Sequence, residues 1–327
     1  MLFRISPLWW PVLLIFSPVI AIFITIRNKK FLKNKVIAKK SNENRINSAK
    51  ILDLPELEYL ELTVIVDEKT EDGFIGDAGV SYHFKSNLGS LLFDVGFGEE
   101  RPAFSHNIKK LNIDLNLSDA FAISHLHLDH MGGIAAAKNK KIIIPGNIEK
   151  NKICYIPDEA YSDQAQCEII DSPRIIKAGI GTTGPLARSL FFFGLTEEQA
   201  LVARIKGKGL VVFTGCGHPT VGVILEMVKK ISNEPLYALG GGLHFPITEG
   251  RGNRIGIKFQ TIVGTGKPPW QRIKDKEMYN TIDEINKVNP EKVFLSAHDS
   301  CDYALKTMKE KLTAETSVLK AGATYKF

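Results

Sequence analysis

Three histidines and an aspartate fall within six residues, in the order His125-Leu-His127-Leu-Asp129-His130. The cluster follows a short apolar run at 120–124, which predicts a strand that ends where these side chains begin. Two residues apart, His125 and His127 can point to the same side and hold one cation through ring nitrogens. Imidazole and carboxylate donors suit zinc, and also manganese or iron. The spacing therefore predicts a metal site, against the alternative of a buried polar turn whose histidines only form hydrogen bonds.

Further candidate residues lie in three later motifs, Phe213-Thr-Gly-Cys-Gly-His218, Gly240-Gly-Gly-Leu-His244 and Ser296-Ala-His298-Asp-Ser300. The four cysteines show no CxxC spacing, which indicates neither a disulfide framework nor a cysteine zinc site. We interpret them as free or buried thiols. Cys216, two residues before His218, is the one thiol placed to act as a soft metal ligand. The isolated His83 and His106 are interpreted as a structural residue in a strand and a surface residue.

Together with Leu91-Leu-Phe-Asp94-Val-Gly96, these motifs resemble the metallo-β-lactamase superfamily, whose signature is His-x-His-x-Asp-His after an apolar strand. The motifs that end in His218 and His244 are similar to those of one subgroup. That subgroup includes the archaeal, pterin-forming dihydropterin aminobenzene-phosphate synthase-like proteins. The resemblance covers roughly residues 60–325. It implies an α/β (α+β) fold, a four-layer αββα sandwich, with two divalent metal ions at one edge of the facing sheets, zinc or else manganese or iron.

The resemblance also implies a role for each site residue. His125, His127 and His218 would hold the first metal, and Asp129, His130 and His298 the second. Asp94 would orient a ligand histidine, whereas His244 has no universal counterpart and could be a ligand, a proton donor or a substrate contact. Many hydrolases of the superfamily bridge the two metals with an aspartate that this sequence lacks. Either His218 or His244 compensates for it, or the second metal is held more weakly.

The implied reaction is hydrolysis of an ester, lactone or phosphodiester by a metal-activated water, with catalytic roles for Asp129 and His244. Asp129 would position the attacking water, and His244 would stabilise the oxyanion or protonate the leaving group. A transferase of the pterin-forming type and a non-catalytic ligand-binding module are the alternatives. The substrate is expected to be a small molecule. It could be anionic or phosphorylated if the basic loop at 249–272 closes over it, and that loop could equally be a solvated insertion; its cations are Arg251, Arg254, Lys258, Lys267 and Arg272.

The body of the chain alternates strand and helix patterns, which is typical of an α/β or α+β sandwich. Predicted strands lie at 62–66, 80–84, 91–96, 120–124, 199–205, 209–214, 236–239 and 293–296, and predicted helices begin near Ile134 and cover 220–231, 279–288 and 303–312. Strands 80–84 and 91–96 flank Asn87-Leu-Gly, and strands 199–205 and 209–214 flank Lys206-Gly-Lys, so each pair is predicted to form a hairpin.

Residues 8–26 are almost wholly apolar and uncharged. As a helix they would measure roughly 28 Å, close to the thickness of a bilayer's hydrocarbon core. We predict a single-pass transmembrane anchor at 1–27, a basic linker at 28–55 and a catalytic domain at 56–327. A signal peptide and a core helix are less favoured, because the segment has no small-residue cleavage site and no polar face.

The charge distribution supports a membrane location. Residues 1–50 contain ten Lys/Arg and one Glu, a net charge of +9, whereas the rest has 32 basic and 35 acidic residues, a net charge of −3. Because the positive residues follow the apolar segment, the positive-inside bias predicts a cytoplasmic catalytic domain. The acidic body is not expected to bind nucleic acid.

Overall fold

The computed structural model describes residues 4–149, 151–251 and 256–327. Its α-helices, in chain order, are α1 Trp10–Ile15, α2 Ser17–Ser48, α3 Pro102–Lys110, α4 Ile134–Asn139, α5 Val221–Ile231, α6 Gln260–Val263, α7 Asp275–Val288 and α8 Asp302–Lys311. The strands are β1 Glu56–Leu57, β2 Leu60–Val66, β3 Ser81–Ser86, β4 Gly89–Phe93, β5 Ala120–Ala122, β6 Ile153–Ile156, β7 Gln166–Ile169, β8 Arg174–Ile175, β9 Gly181–Thr182, β10 Leu186–Leu190, β11 Gly194–Glu198, β12 Leu201–Ile205, β13 Gly209–Thr214, β14 Leu236–Gly241, β15 Lys292–Leu295, β16 Glu315–Val318 and β17 Thr324–Lys326.

The strands form two large sheets and a separate hairpin. One sheet has the order β17-β2-β3-β4-β5-β6-β7, and the other has the order β16-β15-β14-β13-β12-β9-β8, with β1 paired to β12. Strands β10 and β11 pair only with each other among the described residues. Within the sheets, β4 to β7 run parallel, as do β13 to β16. Each sheet therefore has a set of carboxyl ends that lie along one edge.

Apolar side chains of the two sheets meet in a shared core. Phe213 of β13 lies at its centre, with ring centroids 5.2 Å from Phe84 of β3 and 6.3 Å from Phe294 of β15. Helices α5, α7 and α8 cover the outer face of one sheet with residues such as Ile224 and Ile282, and α3 and α4 cover the other. The mixed α/β sandwich predicted from the sequence is confirmed.

The predicted elements are present within a few residues of their expected bounds. Both predicted hairpins form, β3 with β4 and β12 with β13. The β10–β11 hairpin was not predicted, because Arg188, Glu197 and Glu198 interrupt the regular apolar alternation of its strands. This hairpin matters below, because it reaches the site from outside both sheets.

The N-terminal region differs from the expected anchor and linker. No single helix in the described part of the chain is long and apolar enough to cross a bilayer, although Pro7–Ile15 and Ser17–Ser48 together meet that requirement across an 87° bend. Residues 28–48, expected as part of a linker, are helical. A stripe of α2 is buried, comprising Phe31, Asn34, Ala38, Asn42 and Ile46. Its spacing of three and four residues explains why this half of the helix binds the body despite its charge.

Polar contacts fix α2 on β10. The Asn42 side chain donates to the Ala187 carbonyl at 2.9 Å and accepts from the Ala187 N–H at 2.7 Å. The Ser189 hydroxyl donates to the Phe31 carbonyl at 3.0 Å, and Arg45 forms an ion pair with Glu197 at 2.6 Å. The second half of α2 is therefore part of the folded body.

Candidate metal centre

The predicted site residues follow the carboxyl ends of parallel strands. Asp94 follows β4, and the histidine cluster that begins at His125 follows β5 in the same sheet. His218 follows β13 and His298 follows β15 in the facing sheet. Because both sets of strand ends lie at one edge of the sandwich, loops from the two sheets converge there. The structure thus brings together all six residues expected to bind metal.

Three of these histidines form one group. The Nε2 atom of His125 lies 2.9 Å from Nδ1 of His127, and Nε2 of His218 lies 3.2 Å from the same Nδ1. His125 and His218 are buried. Three ring nitrogens that face one another this closely define a pocket for a single cation, since neutral imidazoles present lone pairs there.

The remaining three residues form a second group beside the first. Nε2 of His130 lies 3.7 Å from a carboxylate oxygen of Asp129. The rings of His130 and His298 are 5.4 Å apart between centroids. Both histidines are fully buried. The set of two imidazoles and one carboxylate is the chemistry expected for the second metal.

Cys216 joins the two groups. Its Sγ lies 3.1 Å from Nε2 of His130 and 3.2 Å from Nε2 of His298. The same sulfur is grouped with His125 and His218 and also with His244 and Asp299, so it belongs to all three potential metal-binding sets of the described residues. The sulfur lies between the two groups, whereas the sequence indicated His218 or His244 as the replacement for the absent bridging aspartate. Cys216 itself was predicted to be a free or buried thiol, with a ligand role as the less favoured alternative.

Burial sets the protonation of most site histidines. Desolvation lowers the pKa of His127 to about 3 and holds the pKa of His125, His218 and His298 well below the usual range. These imidazoles are neutral at pH 7 and have nitrogen lone pairs to offer. In His130, the negative charges of Asp94 and Asp129 outweigh desolvation and raise the pKa to about 9.

Buried polar residues orient the histidines. Asp94 Oδ2 lies 2.7 Å from Nδ1 of His130, and Asp94 also accepts hydrogen bonds from the Ser124 N–H and hydroxyl. Asp94 therefore contacts the ring of a candidate ligand, and its orienting role stays a prediction. The Ser124 hydroxyl lies 2.9 Å from Nδ1 of His125, which orients a second ring.

Two supporting residues were missed from the sequence. The Ser296 hydroxyl lies 2.6 Å from Nδ1 of His298 and donates to Asp67 at 2.6 Å. Asp67 is fully buried, and desolvation raises its pKa to about 7. Asp67 follows β2, far along the chain from His298, so no local spacing could have revealed it.

Glu198 is a third missed residue. Its carboxylate accepts hydrogen bonds from the backbone N–H groups of Gly215, Cys216, Gly217 and His218. Desolvation raises its pKa to about 7. The end of β11 therefore holds the turn that carries Cys216 and His218.

Glycines in the loops after β13 and β14 allow these loops to pack closely around the site. A Cβ atom on Gly215 would overlap the Ser124 hydroxyl, and one on Gly242 would overlap Asp299 and approach the His298 ring. The glycine runs of both motifs are thus required by close packing around the site.

His244 lies at the side of the first group. Its ring centroid is 4.9 Å from that of His218, and its backbone has a φ of 56°, unusual for a residue with a side chain. Asp299 accepts a hydrogen bond from the His244 N–H at 2.9 Å. Both ring nitrogens of His244 are buried without a hydrogen-bond partner among the described residues. The ring is therefore available to a ligand, a proton or a substrate.

The basic loop contributes fewer free cations than its composition suggested. Arg251 donates to the carbonyls of Ala297 and Ser300, and Lys267 forms an ion pair with Glu277. Arg254 lies outside the described residues. His83 in β3 and the exposed His106 in α3 both lie away from the cluster, as expected.

Fold and site together define a class of protein. Residues 75–229 match the family model described as the metallo-beta-lactamase superfamily. This segment includes the motif from His125 to His130 and also His218. The segment around the site thus matches the model of this superfamily, and the resemblance seen in the sequence is confirmed.

Individual relatives are distant. The 7,8-dihydropterin-6-methyl-4-(beta-D-ribofuranosyl)-aminobenzene-5'-phosphate synthase of Methanocaldococcus jannaschii is 25% identical over 192 residues, which cover 47% of this chain and 65% of the relative. The chain thus spans less than two thirds of this curated relative. The structure is similar to that of Tm1679, described as a metal-dependent hydrolase of the beta-lactamase superfamily. That match has a TM-score of 0.57 at 21% identity and covers 81% of this chain and 98% of the other. The metallo-beta-lactamase fold protein YhfI of Bacillus subtilis gives a TM-score of 0.50 at 16% identity, over 83% of this chain and 100% of the other.

Proposed function

We propose that the protein is a membrane-attached, metal-dependent hydrolase that cleaves an ester, lactone or phosphodiester bond at a centre of two divalent cations. The observation that carries this proposal is the position of Cys216, whose sulfur belongs to all three sets of potential metal ligands among the described residues. Two of these sets consist otherwise of residues predicted to bind metal, His125 and His218 in one and Asp129, His130 and His298 in the other. Two adjacent sets with a common donor are what a binuclear centre requires.

The donor chemistry fits such cations. The imidazoles of His125, His127 and His218 are suited to one metal, and Asp129, His130 and His298 to the other. Burial and nearby carboxylates, Asp129 first among them, raise the pKa of the Cys216 thiol well above its ordinary value. Metal coordination deprotonates a thiol outright, so a metal would resolve this unfavourable environment. Zinc suits the mixed nitrogen, sulfur and oxygen set best.

The side chains around the centre have separate roles in the proposed reaction. Divalent cations in such a site make water a nucleophile at neutral pH and neutralise the charge that develops on the substrate. Asp129, on the edge of the second group, would hold the attacking water in line with the substrate. His244, beside the first group with both ring nitrogens free, would stabilise the developing oxyanion or protonate the leaving group.

The apolar N-terminal segment supports membrane attachment. Its large side chains remain exposed, including Leu8, Leu14, Ile15, Val19, Ile22 and Ile26. Exposed apolar surface of this extent is characteristic of contact with a membrane or a partner. The lysines of α2 follow directly, so the proposal keeps membrane attachment and a cytoplasmic catalytic domain. It does not include a single crossing, because Arg4, before the apolar segment, donates hydrogen bonds to the Thr261 and Gln271 carbonyls of the body.

The proposal is tested with the full-length protein in detergent. An aryl phosphodiester, an aryl ester and a lactone are supplied in turn, before and after chelation and after readdition of zinc or manganese. We expect turnover of at least one substrate, abolished by the chelator and restored by a metal. Asp129→Ala should reduce kcat by about 100-fold or more, since it removes both a ligand and a water-positioning group. Metal-independent turnover, or none of the three substrates cleaved by metal-loaded protein, would refute the hydrolase assignment.

A transferase is the second candidate, favoured by the similarity to the Methanocaldococcus jannaschii synthase. Transfer and hydrolysis differ in what accepts the cleaved group. Adding an alcohol or amine acceptor to the assay would divert product from the hydrolysed to the transferred form if the site performs transfer. A product ratio that does not depend on the acceptor supports hydrolysis.

A further inference from the structure

A cavity of about 210 Å³ opens beside the candidate metal centre. Its walls include His218 and His244 on one side and Gly264, Thr265 and Gly266, before α7, on the other. The cavity is too large for a single water and adjoins the reacting edge of the site. Its position is that of a subsite for the part of a substrate that is not cleaved.

Arg188 of β10 supplies a positive charge to this cavity. In the part of the chain that the structure describes, the guanidinium forms no hydrogen bond and no ion pair. Its positive charge also interacts electrostatically with the rings of His218 and His244. Gly266 packs against the guanidinium so closely that a Cβ atom there would overlap it. Arg188 is thus held at the cavity wall by packing, with its donors unused.

Two more polar groups at the cavity lack partners. The hydroxyl of Thr265 is buried and forms no hydrogen bond with any described residue. The same is true of both ring nitrogens of His244. Unpaired buried polar atoms cost free energy, so their convergence on one cavity indicates a missing hydrogen-bonding partner.

The other charged side chains that line this cavity already have ion-pair or hydrogen-bond partners. Lys267 forms an ion pair with Glu277, and Glu284 accepts a hydrogen bond from the Gly222 backbone. Arg188 is therefore the one Lys or Arg among the described lining residues that forms no ion pair. A guanidinium binds carboxylates and phosphates with two parallel hydrogen bonds, and a neighbouring hydroxyl donor adds a further one.

We propose that this cavity is a subsite for an oxyanion substituent of the substrate, bound by Arg188 and Thr265, with His244 between the subsite and the metal centre. The substituent is a carboxylate or a phosphate, which present the same acceptor chemistry to these donors. The proposal rests on the proposed function for the bond that is cleaved. It adds a requirement for a negative charge elsewhere in the substrate.

Matched esters test the proposal in the full-length, metal-loaded protein. Mono-p-nitrophenyl glutarate has a terminal carboxylate, and p-nitrophenyl valerate is a neutral analogue of the same chain length. We expect the wild type to prefer the glutarate ester. Arg188→Gln should raise KM for that ester by about 10- to 100-fold and change KM for the neutral ester by less than about twofold, the range expected for one charged hydrogen bond. Lys258→Gln, which removes a loop cation that does not line this cavity, should alter neither value.

Thr265→Val distinguishes binding from a structural role. Because the hydroxyl lacks a partner in the described structure, the isosteric valine should raise the melting temperature of the ligand-free protein. It should also raise KM for the anionic ester. Equal losses for both esters in Arg188→Gln, no preference for the anionic ester in the wild type, or a lower melting temperature in Thr265→Val would each overturn the proposal.

A direct binding measurement distinguishes failure of this proposal from failure of the hydrolase assignment. The metal-depleted full chain is titrated calorimetrically with inorganic phosphate and, separately, with acetate. Binding of either anion to the wild type, weakened at least about tenfold in Arg188→Gln, supports the subsite even if neither ester is cleaved. Tighter binding of phosphate or of acetate identifies the preferred substituent. Failure of both anions to bind overturns the subsite even if the esters are hydrolysed.

Discussion

At the scale of single residues, Asp94 determines how His130 faces the centre. Its carboxylate accepts from Ser124 and contacts Nδ1 of His130 at 2.7 Å, all without solvent exposure. Asp94→Asn keeps the shape and replaces one acceptor oxygen with a donor. We expect zinc affinity to fall about 10- to 100-fold, the usual effect of losing such a support.

Competition with a chromophoric zinc chelator measures this affinity. Asp119→Asn is the matched control, because that carboxylate accepts from the Ser90 N–H and touches no site histidine. An Asp94→Asn protein with wild-type zinc affinity would show that His130 needs no carboxylate to orient it.

The sequence was informative about individual residues where they are neighbours in the chain. The cluster from His125 to His130 could be read directly, because one turn places all its members. Cys216 and Arg188 could not be assigned, since a thiol and an arginine acquire a role only from what the fold places beside them. Asp67 illustrates the limit, because its effect on His298 depends on contact between β2 and the loop after β15.

At the scale of elements, the β10–β11 hairpin connects α2 to the site. Asn42 of α2 holds both backbone groups of Ala187, the neighbour of Arg188. Asn42→Ala would leave a buried N–H and carbonyl without partners. We expect the free energy of unfolding to fall by about 1–3 kcal/mol, measured by urea denaturation in detergent.

The control for this prediction is Lys39→Ala on the same helix. Its side chain is 79% exposed, so the free energy of unfolding should change by less than about 0.5 kcal/mol. Equal stability of the Asn42 and Lys39 variants would mean that α2 is not tightly docked on β10.

The segment before α7 positions His244. A Cβ atom on Gly264 would overlap the His244 ring, although the backbone of Gly264 does not have a positive φ. Gly264→Ala should therefore displace the ring and lower kcat about tenfold or more, since the loss of a positioned proton donor or oxyanion contact has at least that effect. The double variant with His244→Ala serves as the control. If Gly264 acts through the ring, adding its substitution to His244→Ala should have no further effect on kcat.

The elements themselves were largely predictable, because strands such as β13 and helices such as α5 follow regular apolar patterns. The exceptions have a common cause. Residues 28–48 are rich in lysine and were expected to be a tether, but every third or fourth side chain of this segment is apolar or able to bond to β10. Tertiary contact decides the state of such a segment, and only the fold reveals it.

At the scale of the whole molecule, buried neutral histidines make folding sensitive to acid. The half-buried His83 behaves in the same way and lies outside the metal centre, where its ring is hydrogen-bonded to Ser118. Desolvation, assisted by Lys85, lowers its pKa from 6.5 to about 4. Below pH 6.5 the unfolded chain therefore binds a proton that the folded chain excludes. The stability associated with His83 is complete at neutral pH and is lost as the pH falls toward 4.

His83→Gln removes this titration. Between pH 7 and pH 5, the variant should lose about 2 kcal/mol less unfolding free energy than the wild type. Urea denaturation at both pH values measures the difference. Leu117→Gln is the control, since Leu117 is exposed and has no titratable side chain, so its replacement should leave the pH dependence unchanged. Identical pH dependence of wild type and His83→Gln would contradict the account of His83.

The proposed function depends on two sets of metal-binding side chains in which Cys216 would be the common donor. The most direct test is the metal content per chain of the full-length protein, by inductively coupled plasma mass spectrometry after reconstitution with zinc. The account predicts about two zinc ions in the wild type, and fewer than two in both Cys216→Ala and Asp129→Ala. His106→Gln should retain both ions. One zinc ion or none in folded wild-type protein, or two ions retained in Cys216→Ala, would contradict the binuclear centre.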